Sequence, residues 1–403
     1  MKYLFAYIEF TLIMKKIVTV ICSIILLTGC TQRFQQGTST CTDIQVDVDQ
    51  VSSEYDFSPF LEDGMKAIKL ETDDSCLVSK IGQFAYVDNV LYIAEELEQT
   101  VYLFDSNGKF LKRIGKKGQG PGEYSRMGKF QVKGDQIYIL DKMDGARICV
   151  YDIPSGKGTY LYLNGGYQFE DFHIVGDDMY LICNNRRSER GYYNLIKVNM
   201  NSRQTACFLP FDKALSEHQS HWGLYNYVSQ CDDELLMICS NNDTIYQINS
   251  DNPFPQYSVR FSKRTLPKEN RTKEGMDIMI ESMEKGYIRG LDKINDFGRF
   301  FIAEYSDNTI KSFIYNKDNG TITTIAEVLT LNKWGNLYMW EYVLTDNKEL
   351  VVVEQADMFK ACWEQRYSKG KFASEKDKEK IHNIYKRTKE EDNPIVYIFK
   401  LKE

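Results

Sequence analysis

The sequence predicts an all-β fold, a six-bladed β-propeller of four-stranded blades, and three observations support this prediction. First, a short apolar segment recurs six times along the chain, as LYIAE, IYILD, MYLIC, LLMIC, FFIAE and LVVVE. Second, a turn rich in Asp, Asn or Gly precedes each copy, as Asp88-Asn89 precedes the first. Third, one apolar strand comes before each turn and another follows each segment, so that every copy marks a meander of blade length.

The composition fits one large all-β domain. The chain has 403 residues, of which 43% are hydrophobic, so that a large core can be buried. Aromatic residues make up 13%, and aromatic side chains pack well on the half-buried surfaces of strands. The net charge is −7, and an acidic surface repels phosphate backbones, which excludes nucleic acid as the expected partner.

The first 30 residues predict export and lipidation. Lys15 and Lys16 precede an apolar run over residues 17–27, which is too short to span a bilayer as a helix and is typical of a secretory signal peptide. The following Leu-Thr-Gly-Cys resembles a bacterial lipobox, in which Cys30 becomes the lipidated N-terminus. The alternative is a buried N-terminal strand with a chance cysteine.

The predicted domains follow from this signal. Residues 1–30 form the lipoprotein signal peptide with its lipobox cysteine, residues 31–55 a flexible tether, and residues 56–403 the propeller. Residues just after Cys30 are not acidic, which favours the periplasmic side of the outer membrane over the cell surface. The membrane, reached through the N-terminal lipid, is thus one predicted partner.

Blade assignment leaves one strand missing and one strand unused. Lettering the strands of a blade A to D outward from the axis places blades at residues 80–114, 128–163, 169–209, 225–261 and 288–329, with a sixth from residue 338. The sixth blade ends at its third strand, residues 394–400. We predict that residues 65–71 pair with that strand and close the ring, because closure removes two exposed edges.

Two segments predict helical insertions. In residues 263–286, Met276, Met279, Ile280 and Met283 follow the spacing of one apolar helix face, which predicts that these residues pack the helix onto the blades or act as a lid. In residues 374–391, Ser374 and Asp377 resemble a capping box at the start of a charged helix.

The long segments fall on one face of the predicted propeller. A–B and C–D loops lie on one face, here called the turn face, and B–C and D–A loops lie on the other, here called the long-loop face. The long-loop face holds residues 115–127, 184–193 and 210–224 together with both helices. Because binding groups usually sit on loops of a rigid scaffold, we expect function on this face.

The stretch from Gly118 to Tyr124 reads GQGPGEY, between the strand pairs of blades 1 and 2. With its flanking strands it resembles an NHL-repeat blade, and the chain as a whole resembles uncharacterised six-bladed propeller lipoproteins of Gram-negative bacteria. The resemblance implies the fold and says little about function. A phosphate cradle is disfavoured, because no Gly-Lys-Ser/Thr ending or helix follows, and a tight inter-blade turn is the simpler interpretation.

His218 and His221 lie three residues apart, beside Trp222, on the long-loop face. Two such histidines can share a metal if a third ligand comes from elsewhere, and ordinary loop histidines are the simpler interpretation. The sequence leaves the metal content undecided and predicts no cofactor.

Four carboxylates occupy equivalent positions at the ends of B strands: Glu95, Asp141, Glu304 and Glu354. Brought together, they could bind a cation or act as acid and base at the channel mouth. The stronger interpretation is that each caps a turn, since Cys183 and Cys239 hold the same position in blades 3 and 4.

The loop of blade 3 concentrates positive charge in Arg186, Arg187 and Arg190, and Tyr192 follows. Arginine suits carboxylates or phosphates, and the tyrosine adds a surface for a glycan or peptide; a solvated loop is the alternative.

We therefore expect a membrane-anchored binding scaffold of the cell envelope that meets a protein, peptide or glycan through its long-loop face. A metal-dependent hydrolase or lyase with its site at the channel mouth is the alternative, and a structural part of an envelope complex is the third hypothesis.

Overall fold

The computed structural model describes residues 41–402 except 143–146, 164–165, 218–225, 250 and 274. These residues form six sheets, each built on an antiparallel meander, which confirms the six-bladed propeller of four-stranded blades. The signal peptide, Cys30 and residues 31–40 of the predicted tether lie outside the described residues.

Blades 1 to 3 each use four consecutive strands, because alternating buried side chains and tight turns favour hairpins. Blade 1 contains β4 (Ile81–Val87), β5 (Val90–Glu95), β6 (Thr100–Asp105) and β7 (Phe110–Ile114). Blade 2 contains β8 (Met127–Lys133), β9 (Gln136–Asp141), β10 (Arg147–Asp152) and β11 (Gly158–Tyr162), and blade 3 contains β12 (Asp171–Val175), β13 (Asp178–Ile182), β14 (Tyr193–Asn199) and β15 (Thr205–Pro210).

Blades 4 to 6 recruit strands from the N-terminal segment. That segment supplies β1 (Thr42–Val46), β2 (Ser52–Asp56) and β3 (Lys66–Lys69). Blade 4 contains β16 (Val228–Cys231), β17 (Glu234–Met237), β18 (Thr244–Gln247) and β19 (Phe254–Phe261). Blade 5 contains β20 (Lys293–Asp296), β21 (Phe300–Ser306), β22 (Ile310–Asn316) and β23 (Thr321–Leu331), with the short β24 (Leu337–Tyr338). Blade 6 contains β25 (Glu341–Leu344), β26 (Glu349–Glu354) and β27 (Ile395–Lys400).

The predicted closure of the ring is confirmed. Strand β3 pairs antiparallel with β27 as the outer strand of blade 6, with Ile68 opposite Val396 and Lys69 opposite Ile395. Ile68 is buried against blade 1 as well, so that the first and last parts of the domain share one core cluster. This pairing covers edges that would otherwise be open.

The prediction of a flexible tether through residue 55 was wrong for residues 42–55. Strand β1 pairs in parallel with the outer strand of blade 4, and β2 pairs in parallel with the outer strand of blade 5. Ile44 and Val46 alternate with exposed polar residues, so that one side of β1 buries apolar surface. The exposed polar residues of β1 lie on the solvent side of this edge strand.

The core is divided among the blade interfaces. Six clusters of buried hydrophobic residues lie between successive blades, as Leu140 and Phe172 do between blades 2 and 3. The interface of blades 5 and 6 continues into the helices through Phe359 and Trp363. Packing between blades therefore fixes the loops of both faces on a rigid ring.

Four α-helices occur among the described residues: α1 (Lys213–Glu217), α2 (Gly275–Lys285), α3 (Ala356–Gln365) and α4 (Glu375–Arg387). Both predicted helices are present, and Ser374 caps α4 by accepting a hydrogen bond from the Asp377 backbone N–H. Helix α3 was not predicted, although Phe359 and Trp363 show the i, i+4 spacing of its buried side. Within the described part of the chain, no helix combines the length and apolarity needed to cross a membrane.

The predicted packing face of α2 was wrong. Gly275, Ile278 and Ser282 form its buried side, whereas Met276 and Met283 are exposed. The buried side thus has one large apolar residue, Ile278, between two small residues. The apolar stripe that suggested packing points to solvent.

Candidate functional site

Polar side chains of the inner strands join neighbouring blades around the axis. The Gln83 amide both donates to and accepts from the backbone of Phe130 in blade 2. Gln131 does the same with Ile174 in blade 3, at 3.0 and 2.7 Å. His173 of blade 3 lies 2.8 Å from the Gln230 side-chain oxygen of blade 4, and burial lowers the pKa of His173, which favours the neutral ring. These side chains link neighbouring blades, and the hydrogen bonds between the blades engage their polar atoms.

On the long-loop face, charged residues surround the axis. The Lys129 ammonium donates to Asn226 at 2.9 Å and lies 3.0 Å from Asp171, and so links blades 2, 3 and 4. Lys293 of blade 5 lies 3.4 Å from Glu304 and 4.4 Å from the centre of the Tyr342 ring. Both lysines are therefore occupied by groups of the propeller itself.

The four carboxylates at the ends of B strands have separate local roles. Glu95 accepts hydrogen bonds from the backbone N–H groups of Lys80 and Glu98, and Asp141 accepts from Ser125 and Arg126. These two cap turns, in agreement with the stronger interpretation of the sequence. Glu304 pairs with Lys293, and Glu354 is buried at the end of β26. Among the described residues, no group of three or more His, Cys, Asp or Glu is placed to hold a metal ion.

A pocket of about 370 Å³ opens on the long-loop face between blades 6 and 1. It is formed where the inner strands of both blades start, where β26 ends and where α3 begins. Its lining is mainly apolar with a few polar groups, a composition typical of binding pockets. The lining residues are Lys80, Ile81, Trp340, Glu341, Val353, Glu354, Gln355 and Met358.

Glu354 lines this pocket and is only 3% exposed. Its two carboxylate oxygens accept hydrogen bonds from the hydroxyls of Tyr367, at 2.5 Å, and Tyr397, at 3.1 Å. Burial raises the pKa of Glu354 to about 7, because the hydroxyls that stabilise the charged form offset only part of the desolvation. Perturbed carboxyl groups in a pocket are typical of functional sites, although structural networks also perturb pKa values.

Large apolar side chains are exposed at the mouth of the pocket. Trp340 is 47% exposed and Met358 is 41% exposed. Glu341 also lines the pocket and reaches solvent, yet desolvation raises its pKa, against the opposing effect of Lys293. Lys80 at the rim forms a salt bridge with Glu96 at 2.8 Å.

Exposed apolar residues concentrate on the same face. Ten large hydrophobic side chains are exposed in the described part of the chain, and all but Leu111 lie in B–C or D–A connections or at the strand ends that adjoin them. Three of the ten form the outward side of α2. The nine on the long-loop face are Leu77, Leu97, Tyr162, Met276, Ile280, Met283, Ile310, Trp340 and Met358.

The arginine loop of blade 3 lies on this face as predicted, between β13 and β14. Arg186 pairs with Glu170, whereas Arg187 lies over the ring of Tyr192, 5.8 Å from its centre. Arg190 is exposed. The loop therefore offers the outer two arginines and one aromatic face, and binding by them stays a prediction. His218, His221 and Trp222 lie outside the described residues.

The turn face carries a larger cleft of about 920 Å³, bordered by blades 4, 5 and 6. Phe297 and Phe300 stack on its floor with ring centres 5.1 Å apart, and Phe60 lies 4.6 Å from Phe300. At its rim, Lys348 pairs with Asp232 at 3.3 Å. Sequence reasoning missed this cleft, because A–B turns of three blades and the segment after β2 come together only in the folded ring.

The Gly-rich stretch is an inter-blade turn, as the simpler interpretation held. Glu123 accepts a hydrogen bond from the Gly120 backbone at 2.8 Å, and Tyr124 is fully buried. Gly122 has a φ of +79°, and a Cβ there would lie 2.6 Å from the Gly158 carbonyl oxygen, so that only glycine fits.

The pocket residues Trp340, Glu341 and Met358 were also missed from the sequence. The available signal was a tryptophan and a glutamate at the start of an inner strand, in the run YMWEYV. Nothing local distinguishes these residues from a buried strand start. Their exposure depends on where α3 packs.

A family model described as a domain of unknown function, DUF4934, matches residues 41–400, and the chain belongs to this family. Among solved structures, the chain is similar to a Bacteroides fragilis protein to which export is ascribed, at 18% identity and a TM-score of 0.67, over 90% of this chain and 100% of that chain. It is also similar to a DUF4221 family member of Bacteroides vulgatus, at 12% identity and a TM-score of 0.45, over 85% of this chain and 98% of that chain. No curated protein matches the sequence. These likenesses show the fold alone.

Proposed function

We propose that this DUF4934 propeller is a lipid-anchored scaffold of the cell envelope that binds a protein partner through its long-loop face. The observation that carries the proposal is the placement of exposed apolar residues. Nine of them lie on that face, and the exception, Leu111, lies in the outer strand of blade 1. Soluble surfaces seldom group large apolar side chains on one side unless that side makes contacts.

The kinds of residue support a protein partner. Tryptophan and methionine are enriched at the centres of protein interfaces, and Trp340 and Met358 border a pocket that a partner side chain could fill. The methionines of α2 add a flexible apolar surface that adapts to varied shapes. The loop of Arg187 and Tyr192 supplies a polar rim on the same face.

The predicted lipobox supplies the anchor of the proposal. Cys30 would carry the lipid, and the described chain begins at Cys41, next to the first edge strand on blade 4. Expressing the full chain with Cys30→Ala and feeding cells an alkyne fatty acid tests this part. We expect labelling and membrane association of the natural sequence and loss of both in the variant. Equal labelling of the two proteins would contradict lipidation at Cys30.

The test of the binding face is photo-cross-linking in cells. A benzophenone amino acid is placed singly at Met283, Ile310 or Met358, and at Leu111 as the control. All four positions are exposed and apolar in the natural chain, so that the variants differ mainly in location. We expect discrete adducts from the first three positions and none from Leu111. Adducts of equal yield at Leu111, or none at any position, would overturn the proposal.

A further inference from the structure

We infer that the pocket between blades 6 and 1 receives a lysine side chain of the partner, with its methylene stem between Trp340 and Met358 and its ammonium directed to Glu341 and Glu354. This inference rests on the proposed function and specifies the chemistry of the partner. It follows from the shape of the pocket and from a charge that the propeller leaves uncompensated.

The walls suit an alkyl chain. Ile81, Val353, Trp340 and Met358 line a space of about 370 Å³, which is the scale of one long side chain rather than a folded segment. Lysine buries a stem of four methylene groups on apolar surface while its charge seeks a polar group. The exposed ring of Trp340 adds an attraction for a cation that passes its face.

The charges of the pocket are unbalanced. Of the ionisable residues that line it, Lys80 is occupied by Glu96, which leaves Glu341 and Glu354. No salt bridge of Glu341 occurs within the described chain, and the nearby Lys293 pairs with Glu304 and lies over Tyr342. Glu354 accepts only tyrosine hydroxyls, which carry no positive charge. A cation entering from outside would therefore find carboxylates that no internal cation has neutralised.

The geometry favours lysine over arginine. A guanidinium binds best to both oxygens of one carboxylate in a planar fork. Each oxygen of Glu354 already accepts one tyrosine hydroxyl, from Tyr367 or Tyr397, so that a two-point fork on this carboxylate would compete with both, whereas a single N–H donor needs only one remaining lone pair. An ammonium is a compact charge with three donors and needs no planar partner, so that it can share the space between two separate carboxylates.

The experiment compares two small probes of the same length, hexylammonium and hexan-1-ol, titrated into the mature protein. Trp340 is exposed, whereas Trp334 and Trp363 are buried, and tryptophan fluorescence follows binding, with Trp340→Phe identifying the responding ring. We expect hexylammonium to bind at least ten-fold more tightly than hexan-1-ol. The preference should fall to less than three-fold in Glu341→Gln and vanish in Glu341→Gln/Glu354→Gln. Glu327→Gln, an exposed carboxylate of blade 5, should leave the preference unchanged.

Equal affinity for the two probes, no binding of either, or a full preference retained without Glu341 would each overturn the lysine inference. Glu341 is exposed, so that its single variant tests the inference even if the double variant folds poorly. Hexylguanidinium serves as a third probe, and tighter binding than hexylammonium would replace lysine by arginine. Cross-links at Met283 and Ile310 do not depend on this pocket, so that their persistence would separate failure here from failure of the proposed function.

Discussion

Two buried carboxylates on opposite faces of the propeller differ in the partners that surround them. Asp296, at the turn face between blades 4 and 5, is fully buried and accepts a hydrogen bond from the Lys317 ammonium at 2.7 Å. Glu354, at the long-loop face of blade 6, is nearly as buried and has two tyrosine hydroxyls as partners. Burial raises the pKa of both carboxyl groups. Among the described residues, Asp296 has a cation as its partner and Glu354 has none.

The difference extends to the cavities beside them. The turn-face cleft is the larger, yet its charged residues are mostly paired within the protein, as Glu234 is with Lys317 and Asp232 with Lys348. The pocket of the long-loop face is smaller, and within the described part of the chain neither Glu341 nor Glu354 forms a salt bridge. Since unpaired charge and exposed aromatic surface are what a ligand can satisfy, the smaller cavity is the better candidate. Cavity volume alone would have selected the other face.

The largest predicted effect concerns the internal cation. Lys317→Met should destabilise the fold by about 3–5 kcal/mol at pH 8, because it leaves Asp296 and Glu234 as buried or half-buried carboxylates without their shared partner. Burial opposes the charge of Lys317, but the two carboxylates outweigh it and raise its pKa, so that the natural side chain stays charged. Urea unfolding of the domain from residue 41 measures the loss.

The control for this prediction is the pair Asp296→Asn/Lys317→Met, which removes one charge of each sign. We expect it to recover part of the stability, and we expect the single variant to be less destabilised at pH 5 than at pH 8, since the orphaned carboxylates can then take up protons. A Lys317→Met protein as stable as the natural one at pH 8 would show that Asp296 is not balanced by Lys317, and the contrast with Glu354 would be lost.

The second prediction compares one substitution at two places. Ile68→Ala in the ring-closing strand should cost about 2–4 kcal/mol, because Ile68 is buried between blades 6 and 1 and its removal leaves a cavity. Ile280→Ala on the outward side of α2 should change the unfolding free energy by less than about 0.5 kcal/mol. Urea unfolding of both variants gives the two values.

The effect of Ile280→Ala decides whether the apolar stripe of α2 is part of the core or of a contact surface. If Ile280→Ala were as destabilising as Ile68→Ala, the apolar stripe of α2 would be part of the core, and the exposed residues of the long-loop face would need a structural explanation. A small effect on stability, together with weaker cross-linking from Met283 in the Ile280→Ala protein, would indicate that the stripe contacts a partner.

Sequence pattern predicted the ring because the pattern is local. Each blade repeats strands and turns at fixed spacing, and the position of residues 65–71 as the missing strand followed from counting strands. The parallel pairing of β1 and β2 could not be predicted in this way, because their partners lie more than 200 residues further along the chain and pairing of an edge strand needs only one apolar side.

The candidate site was predictable only as a face. Loop lengths placed it on the B–C and D–A side, but Trp340 and Glu354 are far in sequence from Lys80, and only packing brings these residues to one pocket. The apolar stripe of α2 was visible, yet periodicity cannot decide whether such a stripe is buried or exposed. The hydroxyl partners of Glu354 gave no signal, since tyrosine is common throughout this chain.

The smallest of the three effects concerns the carboxylate that lacks a cation. The pKa of Glu354 is about 7 in the folded protein against its usual 4.5, so that the two states bind protons differently between these values. Below pH 4.5 the group is protonated in both states and carries no penalty. As the pH rises from 4.5 to 7, the unfolded chain ionises while the folded chain keeps its proton, and stability falls by up to about 3 kcal/mol.

Glu354→Gln should therefore flatten the decline of stability between pH 5 and pH 8, and the variant should gain on the natural protein as the pH rises. The hydroxyls that contact Glu354 belong to Tyr367 and Tyr397, whose pKa values are raised far above this range, so that neither of these groups titrates in the window. Urea midpoints at pH 5, 6, 7 and 8 measure the slope, with Glu327→Gln as the control. An unchanged slope would mean that Glu354 is ionised and compensated like Asp296, and hence that no outside cation is needed. A flattened slope would indicate that the folded protein keeps Glu354 protonated, and that a partner's ammonium can replace this proton.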